Sequence, residues 1–319
     1  MLYKKALLCT LLISSVTASD PTSYGWNIPN TPLNIGGYID ATYESKREDE
    51  FMFNDIALLF SAHKNHFDLL GEVEISDLTL DGKSNGSRDI EIILERLQVS
   101  YALENEQILT VGRFNSSVGY WNQAPINILQ DTTTKPNIVK NIFPKATTGV
   151  MYQKGIGDED SLTLALQYNR DIGSHDESIV VDRHMAIAYY GVSSDELSWR
   201  LSAGSYREFR GDNTRYLGVG TQYDSDEFAL QGEFFIQKHD HGLSIPYSGY
   251  LQSVWHFTDK HDSVLRLERY KDEFLDVSEI IFLLGYVYRP WERFALKGEY
   301  IYHSKLPLNR FVYSFSVMF

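Results

Sequence analysis

The chain has 319 residues, with 43 acidic against 29 basic side chains and a formal charge of −14. That balance disfavours nucleic acid as a partner; the single cysteine, Cys9, excludes a disulfide framework and, because it lies in a segment expected to be cleaved, cysteine-based metal or nucleophile chemistry in the mature chain. Tyr and Phe are plentiful, at 21 and 17 residues, although mean hydropathy is only −0.28; strands that show an apolar face to one side alone produce that combination.

In chain order, the first element is a secretory signal. Lys4 and Lys5 form its basic start, Ala6 to Ile13 its apolar run and Val16-Thr17-Ala18 its cleavage site. The run is shorter than the roughly 20 residues of a membrane-spanning helix. Residues 1–18 are therefore expected to be cleaved, with Cys9, and 19–319 to form one domain. Without Lys4 and Lys5 the formal charge falls to about −16.

Alternation of apolar and polar residues then repeats along the chain. It predicts strands over 34–44, 51–62, 66–76, 90–102, 107–115, 146–154, 161–170, 180–192, 196–206, 214–223, 227–238, 250–257, 263–270, 277–289, 292–303 and 310–319. The connections alternate too. Short polar turns, such as Lys64-Asn65 and Pro290-Trp291, take turns with longer segments, such as 77–89, 116–145 and 239–249.

The two faces of these strands differ in kind. Phe67, Leu69, Val73 and Ile75 oppose Asp68, Glu72 and Glu74; Phe228, Leu230, Phe234 and Ile236 oppose Gln231, Glu233 and Gln237. Leu265 and Leu267 oppose Arg266 and Glu268, and Phe294, Leu296, Tyr300 and Tyr302 oppose Lys297 and Glu299. Arg or Lys at a bilayer midplane costs about 2–4 kcal/mol, so strands in a membrane would turn these charges towards a wet interior; the alternative is that they form the solvent face of a soluble β-sandwich. Two stretches are less clean: 91–97 mixes charge and bulk on both faces, and 280–286 is apolar on both, as if packed on a neighbouring subunit or an inward-folded loop.

Segment 116–145 is too apolar to be left in solvent. It holds Tyr120, Trp121, Ile126, Ile128, Leu129 and Phe143, punctuated by Gly119, Pro125, Pro136 and Pro144, and a long loop of this kind is expected to be functional. The final strand places Phe311, Tyr313, Phe315, Val317 and Phe319 on one face and Val312, Ser314, Ser316 and Met318 on the other.

That last strand, ending on Phe, resembles the closing strand of bacterial outer-membrane β-barrels. The run Gly112-Arg113-Phe114-Asn115-Ser116-Ser117-Val118-Gly119-Tyr120-Trp121-Asn122 and the opening Gly36-Gly37-Tyr38-Ile39-Asp40-Ala41 resemble segments of the 16-stranded porin superfamily. The resemblance implies an all-β, antiparallel up-and-down transmembrane barrel of about 16 strands in the bacterial outer membrane. It also implies that the loop after the fifth strand folds inward, that the barrel-insertion machinery reads Phe319, that outer-membrane lipid surrounds the wall, and that three copies assemble. Lys135, Lys140 and Lys145 are dispersed and stand alongside Asp131, which does not match a phosphate-selective pore.

The implied function is passive diffusion of small hydrophilic solutes and ions through a water-filled barrel narrowed by 116–145, without cofactor, metal or catalysis. The expected lining and constriction residues are Glu72, Glu74, Arg96, Arg113, Tyr120, Trp121, Asp131, Arg200, Glu233, Arg266, Glu268, Lys297 and Glu299. A channel selective for a sugar, an organic acid or an anion is the alternative; Tyr120 and Trp121 could stack on a sugar ring. A barrel phospholipase or protease would need a nucleophile with a placed base. Here His63, His66, His184, His239, His241, His256, His261 and His303 are scattered, and His239 with His241 gives only two metal ligands.

Overall fold

The computed structural model describes residues 25–45, 51–79, 91–157, 159–172, 179–208 and 211–319. The expected signal segment 1–18 lies outside them. Among the described residues, seventeen strands run in chain order: β1 (Trp26–Asn27), β2 (Leu33–Glu44), β3 (Phe51–Lys64), β4 (Phe67–Thr79), β5 (Glu91–Ala102), β6 (Gln107–Asn115), β7 (Ala146–Ile156), β8 (Asp160–Gln167), β9 (Val181–Ser194), β10 (Leu197–Glu208), β11 (Asn213–Asp224), β12 (Phe228–His239), β13 (Tyr247–Thr258), β14 (His261–Asp272), β15 (Val277–Trp291), β16 (Phe294–His303) and β17 (Arg310–Met318). Sixteen of them match the sequence-predicted strands to within three residues at every bound. The addition is the two-residue β1, which pairs with the start of β2 through Trp26↔Ile35 and Asn27↔Asn34.

Strands β2 to β17 pair antiparallel with their sequence neighbours, and β17 pairs with β2, so the sheet closes. Closure leaves no unpaired edge, the condition for crossing lipid with strands. The seam runs from Val312↔Glu44 to Met318↔Tyr38. It is locked at its end by Phe319 N–H donating to Gly37 O (2.9 Å) and Gly37 N–H donating to Phe319 O (2.8 Å). The Trp26 ring lies 5.9 Å from that of Phe319 and continues the seam onto β1.

Every second side chain points outward, and in the middle of the strands the outward ones are mostly apolar; exposed Arg183, Arg215, Lys238 and Arg269 stand near strand ends. On β15, Ile280, Phe282, Leu284 and Tyr286 are exposed, whereas Ile281, Leu283 and Val287 are buried. The stretch that is apolar on both faces is thereby accounted for. Its inner row packs with Tyr270, Ile301 and Val312 inside the barrel, and its outer row joins the apolar exterior. Aromatic pairs cluster near both rims: Phe67–Tyr101, Tyr189–Trp199 and Phe228–Trp255 at the short turns, Phe234–Tyr247 and Tyr300–Phe311 at the longer loops. Such belts sit at the two membrane interfaces of a barrel.

Two expected boundaries are corrected. Strand β8 stops at Gln167 rather than reaching residue 170, because the chain turns away to bring Asp171 inside. The turn expected at Pro290-Trp291 falls one step later, after Trp291. The β15–β16 register shifts between Tyr288 and Trp291, and this irregularity accommodates a proline that has no N–H for the ladder.

Candidate functional site: the loop-narrowed lumen

Loop 116–145 follows β6, the fifth strand of the closed barrel. Its neck is tied by Ser116 N–H donating to Lys145 O (2.9 Å) and by Asn122 Nδ2 donating to Ser116 O (3.0 Å) and Lys145 O (2.8 Å). Between these ties lie two 3-10 turns, Trp121–Gln123 and Asn127–Leu129, and a one-turn helix α1, Asn137–Asn141. Val118, Trp121, Ile138, Val139, Ile142 and Phe143 are buried against inward side chains that include Phe114, Val181, Tyr216 and Phe235. Ile126, Ile128 and Leu129 reach a different part of the wall, packing with Tyr38, Ala57, Leu59, Ala295 and Met318. Full burial of one such side chain stabilises by about 1.5–3 kcal/mol. Many such burials make the loop a fixed partition of the lumen.

Polar contacts from the wall set the loop's position. Arg200 donates from Nη1 to Ser117 O (3.0 Å) and Gly119 O (2.7 Å), and stacks over the Tyr120 ring at 5.1 Å. Glu233 accepts from Tyr120 N–H at 2.8 Å. Gly119, at φ +74°, makes this approach possible: a Cβ there would lie 2.8 Å from Glu233 Oε1. Arg266 donates to Thr132 Oγ1 (2.8 Å) and lies over the Trp121 ring at 5.6 Å, while Glu268 accepts from Asn137 N–H (2.8 Å). Lys297 donates to Asn127 O and Oδ1, Glu299 accepts from Thr133 and Thr134 N–H, and Arg289 donates to Gln130 O and Asp131. The expected lining residues Arg200, Glu233, Arg266, Glu268, Lys297 and Glu299 are thus inside the barrel, buried, and engaged by the loop. Tyr120, Trp121 and Asp131 are their partners on the loop itself.

Arg113 is fully buried, although it shares ladder parity with the exposed Val111 and Leu109. Gly112 between them adopts φ +127°, in the left-handed range that favours glycine, and this twist turns the guanidinium inward. It meets Asp171 Oδ2 at 3.1 Å and Glu95 Oε2 at 3.7 Å.

The wall of β2–β5 faces the remaining space. A cavity of about 330 Å³ lies there, lined on the wall side by Tyr38, Asp55, Glu72, Glu74, Ser76 and Glu95 and on the loop side by Lys135, Lys140 and Lys145 with Pro125, Ile126 and Val139. Tyr38 Oη lies 2.7 Å from both Glu72 Oε1 and Glu74 Oε1. Arg96 Nε donates to Glu72 Oε2, and Lys145 Nζ donates to Glu95 at 3.1 and 3.2 Å. Of the expected lining residues, Glu72 and Glu74 reach this cavity, with Arg96 beside Glu72. Asp55, Glu95 and the three lysines are additions. Among the described residues, no group of three or more His, Cys, Asp or Glu is arranged to hold a metal ion.

This architecture is similar to that of solved outer-membrane proteins. An anion-selective porin from Comamonas acidovorans matches with a TM-score of 0.65 at 14% identity, over 91% of this chain and 100% of that one. The fold is that of a bacterial outer-membrane porin. The outer membrane channel DcaP of Acinetobacter baumannii gives 0.62 at 12% identity, over 93% and 100% of the two chains. The trimer form of OmpT from Vibrio cholerae gives 0.63 at 10%, over 90% and 99%. No family model matches the sequence, and no curated protein matches it.

Proposed function

We propose that this porin-fold chain is an outer-membrane diffusion pore for small hydrophilic solutes and ions, with residues 19–319 as the barrel and 116–145 as its constriction. One observation carries this: a closed barrel, apolar outside, in which the folded-in loop leaves a cavity of about 330 Å³ lined by charged side chains against β2–β5. Rings of charge and a narrowed bore are the means by which a pore sets ion preference and size limit. No step of this function requires a nucleophile, a metal or a cofactor. Likeness to an anion-selective porin, an outer-membrane channel and a trimeric outer-membrane protein supports the location, the channel reading and a homotrimer. Phe319, at the barrel seam, is the proposed signal to the insertion machinery.

The test is single-channel recording of the refolded protein in planar bilayers, with the reversal potential taken under a salt gradient. Stable ohmic steps are the expected result. Silence from barrels that retain heat-modifiable gel mobility would overturn the reading.

A further inference from the structure

The acids of the inner wall are not alike. Glu72 is paired with Arg96, and Glu95 with Lys145 and Arg113. Among the described residues, no ion pair reaches Asp40 or Asp55, although the two face each other directly across the β2–β3 ladder. Asp40 is 1% exposed, and neither of its carboxylate oxygens has a hydrogen-bond partner. On its other side Asp40 is register-paired with Ser316 of β17, which is fully buried and whose hydroxyl also has no hydrogen-bond partner of normal geometry. Lys297 on β16 is held by Asn127. Lys135 faces the cavity from the loop without forming an ion pair with either acid.

Three neighbouring strands, β17, β2 and β3, thus turn oxygen atoms inward at adjacent register positions. The ladder is irregular at this point. Asp40 faces Asp55 but Ala41 faces Phe53, so Asn54 is an extra residue, and a bulge of this kind re-aims the side chains beside it. Like charges directly opposite each other destabilise a ladder, and a buried carboxylate without a partner adds its own cost. A bound cation removes both. Asp55 also lines the cavity of about 330 Å³, which gives an ion its way in.

We propose that Asp40, Asp55 and Ser316 bind one calcium ion at the barrel seam. Two carboxylates carry the charge that a divalent ion balances; a sodium ion or a single proton leaves half of it. Oxygen ligands of this kind suit a hard cation rather than a soft transition metal. Calcium accepts roughly six to eight oxygens in flexible geometry and completes its shell with water. Bound there, it ties β17, β2 and β3 together where the last strand of the barrel meets the first.

The experiment uses the full barrel, refolded in detergent in calcium-free buffer. Terbium stands in for calcium, and Tyr38, two residues before Asp40 on the same inward face, is the antenna for its luminescence. Wild-type barrels are expected to give tyrosine-sensitised terbium emission that calcium displaces, with a dissociation constant for calcium of roughly 10⁻⁴–10⁻³ M. Their heat-induced gel shift is expected to move to higher temperature when calcium is added. Asp40→Asn and Asp55→Asn, each isosteric, should each weaken calcium binding by about tenfold or more, and Ser316→Ala by less. The gel shift in calcium-free buffer reports whether each variant has folded, and either Asn variant suffices for the comparison. Emission of equal strength in wild type and the Asn variants would overturn the proposal by assigning the ion to acids elsewhere on the chain. So would a wild-type gel shift that calcium leaves in place, the result expected of two carboxylates sharing one proton.

Discussion

Arg113 illustrates how a single inward-turned residue, fully buried, can tie neighbouring parts of the barrel together. Its guanidinium and the Asp171 carboxylate are 3.1 Å apart, with 0% and 2% of their side chains exposed. Thr148 Oγ1 also donates to Asp171. A charge left alone at such a site is expensive: removing one partner of a buried pair costs about 3–5 kcal/mol. Arg113→Ala is therefore expected to destabilise the barrel by that amount, and Asp171→Ala in the same chain to recover part of it. Guanidinium unfolding in detergent micelles, followed by tryptophan fluorescence, measures both. If Arg113→Ala leaves the midpoint unchanged, the pair contributes nothing to stability. Nothing in the local sequence marks Asp171 as the partner, since it lies 58 positions further along the chain.

At the scale of elements, the strands were legible and the lumen only partly so. Period-two alternation needs no distant partner, and charge cannot face lipid cheaply, so Phe228 to Gln237 already divides into outside and inside. The acidic wall escaped the same reasoning at its irregular points. The β2–β3 register shifts between Asp40 and Ala41, and the β4–β5 register shifts between Glu72 and Val73, skipping Glu95 on β5. A one-residue shift exchanges the faces of a strand, which is why 91–97 looked mixed. The loop contacts were illegible for another reason. Tyr120 and Glu233 are 113 positions apart, and no short motif encodes which part of the wall a loop will meet. What the loop does is testable at this scale. Ile126→Ser with Ile128→Ser removes two buried side chains that press on Tyr38 and Ala57, a loss of about 2–5 kcal/mol of packing at each site. The barrel ladder is untouched. Single-channel traces are expected to show larger and noisier conductance, with the heat-induced gel shift at a nearly unchanged temperature. Unaltered conductance would mean that this segment does not restrict the pore.

For the molecule as a whole, the division between lipid side and water side is the organising constraint, and β15 carries it most sharply. Leu284 lies mid-strand, pointing outward and 62% exposed, while its neighbour Leu283 is fully buried within the barrel. A soluble β-sheet would tolerate a charge at the first position and suffer at the second. A barrel in lipid reverses the first expectation. Leu284→Arg puts a guanidinium near the bilayer midplane, where it costs about 2–4 kcal/mol, and the cost falls to about 0–1 kcal/mol near the interfaces. Trp291, at the short-turn end of the same strand and 70% exposed, provides the comparison. Trp291→Arg is expected to lose little of the charge penalty that Leu284→Arg incurs, because its guanidinium reaches headgroups and water. Reversible folding into phosphatidylcholine vesicles, titrated with guanidinium, measures both against wild type. A large loss at Leu284 with a much smaller one at Trp291 places the midplane on β15. Similar losses at the two positions would mean that this face of the barrel does not meet lipid at the depth its sequence specifies.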